Sequence, residues 1–127
     1  MTELIEIAGE RCLVADADGP IVRDPEGGRA LIEEAMEHRA RVIAVPVARL
    51  DPSFFQLRSG LAGEVLQKMV NYGYRFAVLG DVSPYVAASD AFRDFVVECN
   101  RGRSVFFVDG IAALEQRLAG KRTPADA

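Results

Sequence analysis

The chain has 127 residues, half of them hydrophobic, and a formal net charge of −4 from 19 acidic and 15 basic residues. That length suits one domain with a sizeable core and is too short for two independent ones. The mildly acidic balance argues against nucleic acid, and the longest apolar runs, such as residues 42–47, fall far short of the ~20 residues a membrane helix needs.

The opening Met1-Thr2-Glu3-Leu4-Ile5-Glu6 lacks the basic and apolar regions of a signal peptide, so a cytoplasmic location is expected. Cys12 and Cys99 form no CxxC pair, and His38 is the only histidine. No metal site or cofactor is expected from these residues; the cysteines read as reduced, core-type side chains. His38 falls near a helix C-terminus, where a cation is favoured, and has no nucleophile beside it in sequence.

Residues 4–7 and 12–15 read as two short strands around Gly9-Glu10, a hairpin signal. Asp18-Gly19-Pro20 forces a turn. Asp24-Pro25 starts a helix with Leu31, Ile32, Ala35 and Met36 on its apolar face. Gly27-Gly28 softens its first turn, so a later start is expected. Arg29 and Glu33 are spaced for an i,i+4 pair. Residues 42–47 form a continuous apolar run, the pattern of a strand covered on both faces, with Pro46 near its end.

Residues 60–71 give the clearest helix, with Leu61, Val65 and Met69 in one row and Ala62, Leu66 and Val70 in the next. Gly73 suits its left-handed cap. Residues 75–79 form another buried strand. Ser89 caps a helix carrying Phe92, Phe95, Val96 and Cys99, stopped by Asn100-Arg101-Gly102. Residues 104–108 are a further strand, after which Asp109 caps a last helix with Ile111, Leu114 and Leu118 inward.

The fold class is therefore α/β, with a mixed sheet of about five strands and about four helices in the order β-β-α-β-α-β-α-β-α. One domain spans residues 1–120, and residues 121–127 form a flexible tail.

No catalytic motif stands out. Ser59 and Gly60 open the clearest helix, where free N–H groups and the helix dipole favour an anion, and Arg58 adds a cation. The plainer role for Ser59 is to cap that helix through the N–H of residue 61 or 62. Gly60 and Gly63 lack the pattern of a nucleotide loop and suit close approach of the helix to the sheet. In a parallel sheet, ligands gather beyond the C-terminal strand ends. That places Arg58, Asp81 and Tyr85 around a possible pocket, with Arg93 nearby; Asp81 and Asp109 equally suit turn and cap roles. Asp16 and Asp18-Gly19 match half a calcium loop but read better as a turn. Phe54, Phe55, Tyr72 and Tyr74 group near loops and offer a partner or dimer surface if exposed.

The stretch Phe55-Gln56-Leu57-Arg58-Ser59-Gly60-Leu61-Ala62-Gly63-Glu64 and the later Glu98-Cys99-Asn100-Arg101-Gly102-Arg103 resemble a bacterial family, domain-of-unknown-function family 4180, which brings no activity with it. In architecture, an apolar strand, a polar loop, Ser59-Gly60-Leu61, an amphipathic helix, a glycine and another apolar strand resemble a STAS domain, the sulfate-transporter and anti-sigma-factor-antagonist module. That family's loop typically reads Asp-Ser-Ser-Gly. Here Leu57 replaces the Asp, Arg58 stands where the usually phosphorylated serine would be, and Ser59 aligns with the second serine. The resemblance implies a regulatory, non-enzymatic module that binds a protein partner or itself as a homodimer, with Ser59 as the candidate for phosphorylation. The alternative is a small-molecule-binding protein or biosynthetic enzyme, taking a small anionic ligand at the strand ends through Arg58, Asp81, Tyr85 and Arg93.

Overall fold

The computed structural model of the protein describes residues 2–122. Of the expected tail, residues 123–127 lie outside the described residues.

Strands β1 (Glu3–Ile7) and β2 (Glu10–Val14) pair antiparallel, with Glu3 opposite Val14 and Ile7 opposite Glu10. Their turn is Ala8-Gly9, one residue earlier than the sequence suggests, and both residues have positive φ, 53° and 84°. This mirror-image turn matches the right-handed twist of the strands. Strands β3 (Val42–Pro46), β4 (Arg75–Leu79) and β5 (Val105–Val108) follow, and β2 to β5 run parallel in simple chain order. Pro46 is the last residue of β3, where its missing donor costs the ladder little.

Sequential parallel strands with right-handed crossovers put every crossover helix on one face. Leu13, Ile43, Phe76 and Val105 align across the sheet and share one core with helices α1 (Pro25–Glu37), α2 (Leu61–Asn71), α3 (Ser83–Ala88) and α4 (Asp90–Arg101). The alternate residues, Cys12, Val42, Ala44, Ala77 and Phe106, form a second core with Leu114 and Leu118 of α5 (Ile111–Arg122). Both faces of β3 are thus covered, as its unbroken apolar run predicts.

The helix count differs from expectation. Two helices, not one, link β4 to β5. Asp81 Oδ1 accepts both the N–H and the O–H of Ser83, which opens the short α3. Extended backbone at Ser89 (φ −150°) then separates it from α4, and Ser89 Oγ caps α4 by accepting the Phe92 N–H at 3.1 Å. Helix α1 also starts where Asp24-Pro25 places it rather than later: Asp24 Oδ1 accepts the Gly27 N–H at 3.1 Å. The glycines have a packing reason, since a Cβ on Gly28 would sit 3.3 Å from Val65 Cγ1 of α2. The Arg29–Glu33 pair forms at 3.4 Å.

Helix α2 ends as expected. Gly73 (φ 82°) donates to the Val70 carbonyl and Tyr74 to that of Met69, the paired bonds of a left-handed C-terminal cap. Helix α1 ends the same way, with Arg39 (φ 58°) in the glycine position. Met36 and Val70, expected inward, are exposed. Val70 borders a shallow apolar groove between α2 and α4 that also involves Phe95 and Cys99. Helix α5 begins after Gly110, whose carbonyl accepts the Leu114 N–H at 3.0 Å, so Gly110 holds the cap position and Asp109, expected there, stands one residue earlier.

Strand β5 lies at the edge of the sheet, and Asn100 at the end of α4 covers part of that edge. The Phe76 N–H bonds Ser104 O and the Gly80 N–H bonds Val108 O, so the peptide groups of Phe107 point away from β4. The Asn100 amide takes both: Oδ1 accepts the Phe107 N–H at 2.8 Å, and Nδ2 donates to the Phe107 carbonyl at 3.2 Å. Asn100 thereby imitates a neighbouring strand at a place where a free edge invites pairing. Arg117 donates to the Asn100 carbonyl and lies over the Phe106 ring, which ties α5 to the same corner. Asn100→Ala is expected to lower stability by about 1–2 kcal/mol in urea unfolding and to increase self-association measured by light scattering.

Candidate functional site

The connection from β3 to α2 is wound into three short 3₁₀ turns, Val47–Arg49, Pro52–Phe55 and Leu57–Ser59. Asp51 starts the second turn: its Oδ2 accepts the Ser53 N–H at 3.0 Å and the Ser53 hydroxyl at 2.6 Å. Phe54 and Phe55 plunge into the core, which fixes the loop and leaves Arg58 exposed. The Ser59 hydroxyl donates to the Ser53 carbonyl at 2.6 Å and accepts the Leu61 N–H at 3.2 Å. Ser59 therefore braces the start of α2 through the expected bond to the Leu61 N–H, but from one position before the N-cap, which is Gly60 and not Ser59. Gly60 occupies the left-handed region (φ 81°) that joins the last 3₁₀ turn to the helix.

The expectation that Gly60 and Gly63 allow close approach to the sheet is corrected. A Cβ at either position would meet nothing within 4 Å. Gly60 is needed for its backbone angle, and Gly63 is exposed.

Facing this loop, beyond the C-terminal end of β4, stand α3 and the first turn of α4. Between the two lies a cavity of about 550 Å³ walled by Phe55, Leu57, Arg58, Tyr85, Ser89 and Ala91, among others. Tyr85 stacks on Phe55 with centroids 4.0 Å apart and planes 9° apart. Phe92 meets both rings edge-on from below, at 5.8 Å and 6.5 Å.

The residues singled out from sequence converge only in part. Arg58 and Tyr85 share the cavity, and Ser59 and Gly60 adjoin it in the chain. Asp81 borders a separate depression of about 220 Å³ that also includes Asp109 and Phe107. Arg93 lies on the outer side of α4, paired with Asp90 at 3.3 Å and Asp94 at 3.4 Å. The trio Arg58, Asp81 and Tyr85 is divided because Asp81 is tied into the turn before α3, whereas Tyr85 is carried within that helix toward the β3–α2 loop.

The other candidates resolve simply. Asp16 Oδ1 accepts the Asp18 N–H at 3.0 Å, a turn rather than a calcium loop, and no acidic, His or Cys cluster among the described residues could hold a metal. The aromatic grouping splits: Phe54 and Phe55 are core, Tyr74 packs partly against it, and Tyr72 is 62% exposed. His38 ends α1 on the surface. Cys12 is fully buried and Cys99 half-buried. Burial pushes the Cys12 thiol up to about 12, and burial with the nearby Glu98 charge pushes Cys99 to about 11. Both thiols stay protonated at neutral pH, which is the opposite of an activated nucleophile.

Sequence reasoning missed Arg49. It is the only buried charged residue among those described, and it donates from Nε to the Pro20 carbonyl and from Nη1 to the Asp16 carbonyl at 2.8 Å. It bolts the β2–α1 loop to the base of the β3–α2 loop. The only local signal is one cation within the otherwise apolar stretch Val47-Ala48-Arg49-Leu50.

Asp51 and Asp81 perform the same task after successive strands. Hydrogen bonds from the hydroxyl and then the N–H of Ser53 hold the Asp51 carboxyl below its ordinary range, and Ser83 does the same for Asp81. A depressed folded-state pKa contributes stability above the unfolded value, about 3.9, and that contribution disappears as pH falls through the folded value. Wild-type protein is therefore expected to lose urea stability as pH drops from about 5 to 3, and the Asp51→Asn, Asp81→Asn double variant to show a flatter profile over that window.

No curated protein and no solved structure gives a match to this chain. A protein-family comparison matches residues 7–118, which take in the whole cavity, the Ser59-Gly60-Leu61 helix start and the Asn100 corner. Over that span the chain belongs to the family described as Domain of unknown function (DUF4180).

Proposed function

We propose that the chain is a non-enzymatic regulatory module of STAS-like shape that works by binding, with residues 53–63 as its working surface. The observation that carries this reading is the state of the charges. Arg58 is exposed on the cavity wall, with no ion-pair partner for its guanidinium among the described residues. Asp81 and Arg93, the other charged candidates, are engaged locally. A site with a cation ready to bind, but no acid–base pair beside it, suits recognition better than proton transfer. The parallel order of β2 to β5 and the Ser59-Gly60 entry into α2 support the STAS-like shape.

Ser59 is where the proposed module would be switched. It is exposed, and its hydroxyl holds the Ser53 carbonyl, so a phosphate there would break that bond and sit beside Arg58 at the start of α2. The proposed setting is the cytoplasm, with a protein partner or a second copy as the bound species; among the described residues no helix is long and apolar enough to cross a membrane.

Native mass spectrometry of the protein purified from its own host tests this reading against the denatured mass. A phosphate mapped to Ser59, or a partner that the Arg58→Ala, Ser59→Ala double variant loses, supports the module. The reading fails if that double variant keeps every interaction of the wild type.

A further inference from the structure

The cavity beside Arg58 has a composition that narrows what it can hold. Its walls are aromatic and aliphatic, from Phe55, Leu57, Tyr85 and Ala91. Each of its polar side chains can donate: the Arg58 guanidinium, which only donates, and the Tyr85 hydroxyl, the Gln56 amide and the Ser89 hydroxyl, which donate as well as accept. Ser89 Oγ already accepts the Phe92 N–H, which leaves its O–H to donate. The Tyr85 hydroxyl has no hydrogen-bond partner among the described residues. No acidic side chain lines the space, and Asp90, between Ser89 and Ala91 in the chain, is paired with Arg93 on the outer side of α4.

A volume of about 550 Å³ is that of a small-molecule site. A donor-rich wall with one cation calls for an acceptor-rich group of one negative charge. Arg matches a carboxylate through two parallel N–H bonds, whereas a phosphate dianion would ask for more cations than the one present. The apolar walls call for an apolar body attached to that group.

The geometry points to the cavity as a binding site for a carboxylate carried on an apolar, preferably aromatic, body. Arg58 takes the carboxylate, the Tyr85 hydroxyl adds a donor, and Phe55, Leu57 and Ala91 enclose the body. This deepens the binding-module reading and rests on it for the choice of surface. The carboxylate has two sources, a free organic acid or the C-terminus of a partner chain, and the same chemistry serves both.

The test uses the full ¹⁵N-labelled chain in NMR titrations with 3-phenylpropanoate, its neutral amide, inorganic phosphate, and N-acetyl-glycyl-phenylalanine as free acid and as amide. The acids are expected to shift the amides of residues 56–58 and 88–91 and the Arg58 Nε–H. Each neutral counterpart is expected to bind about tenfold more weakly, and Arg58→Gln to weaken the acids by a similar factor. Arg58 is exposed, so that variant keeps the wild-type spectrum elsewhere. Tyr85→Phe keeps the ring stack and is expected to weaken the acids about threefold. Tighter binding of the peptide acid than of phenylpropanoate assigns the carboxylate to a chain end; the reverse assigns it to a small acid. The inference is overturned if acids and amides bind alike, if phosphate matches the acids, or if the shifts lie away from the cavity or do not occur. If the acids have no effect while Arg58→Ala still abolishes partner binding, the inference falls and the module stands. If the acids bind but no partner depends on Arg58, the module falls and the site stands.

Discussion

Arg49→Ala is expected to unfold at a clearly lower urea concentration than the wild type, with a loss of about 3 kcal/mol. Arg49 is 7% exposed, and its guanidinium satisfies two backbone carbonyls, Pro20 O and Asp16 O, the second of which it shares with the Gly19 N–H at 3.1 Å. Truncation removes the side-chain donor from both part-buried carbonyls, leaves Asp16 O with the Gly19 N–H alone, and opens a void under residues 16–20. Arg49→Lys is expected to recover little, because a single ammonium does not reproduce a fork that spans two carbonyls. Gly19 provides an internal check. A Cβ there would lie 2.5 Å from Arg49 Nη1 and 2.8 Å from Cζ, so Gly19→Ala must push the guanidinium off its acceptors. Gly19→Ala alone is expected to cost about 1–2 kcal/mol and to cost almost nothing in the Arg49→Ala background. Additive losses in that cycle would show that Arg49 is not what Gly19 accommodates. The clamp also sets up the binding surface. The Arg49 carbonyl accepts the Val22 N–H at 2.6 Å, and the Val22 carbonyl accepts that of Asp51 at 3.0 Å, the residue from which the loop toward Arg58 is wound. Faster hydrogen exchange across residues 51–60 is expected in Arg49→Ala.

The sheet was legible because its strands are short apolar runs set between glycines and prolines, and a run such as residues 42–47 has little alternative to a covered strand. The helix starts at Asp24 and Ser89 were legible because capping is local chemistry, decided within about three residues. What escaped depends on distance along the chain. Arg49 reaches carbonyls 29 and 33 positions away, and nothing in its neighbours announces that a cation there will be buried. Asn100 matters because β5 happens to be an edge. The site was half legible. Strand-end reasoning brought Arg58 and Tyr85 together, but it treated Asp81 through Ser89 as one loop. Asp81-Val82-Ser83-Pro84 carries a helix start of its own, and the extra helix swings Asp81 and Tyr85 to different depressions. Gly60 and Gly63 show a further limit: a glycine pair in sequence does not say whether space or backbone angle is the need, and here only the angle at Gly60 is.

Phe92→Ala is expected to cost about 3–4 kcal/mol, among the largest single losses in the helix-covered core. The ring is fully buried and is the meeting point of an aromatic cluster, with Phe55 and Phe107 at 5.8 Å, Phe95 at 6.2 Å and Tyr85 at 6.5 Å. It joins β5, α3, α4 and the β3–α2 loop at one point, so its removal leaves a cavity that no single element can close. Phe92→Leu keeps most of the volume and loses the edge-on contacts, for an expected cost of about 1–1.5 kcal/mol. The two variants separate stability from function. Phe92 does not line the cavity beside Arg58, yet it supports the two stacked rings that do, Phe55 and Tyr85. In Phe92→Leu the chain is expected to remain folded by far-ultraviolet circular dichroism, to lose near-ultraviolet signal from the tyrosine, and to bind phenylpropanoate more weakly than the wild type. Full retention of acid binding in that variant would mean that the stacked rings need no support from below, and that the cavity's shape is held by the loop's own hydrogen bonds at Asp51, Ser53 and Ser59 instead.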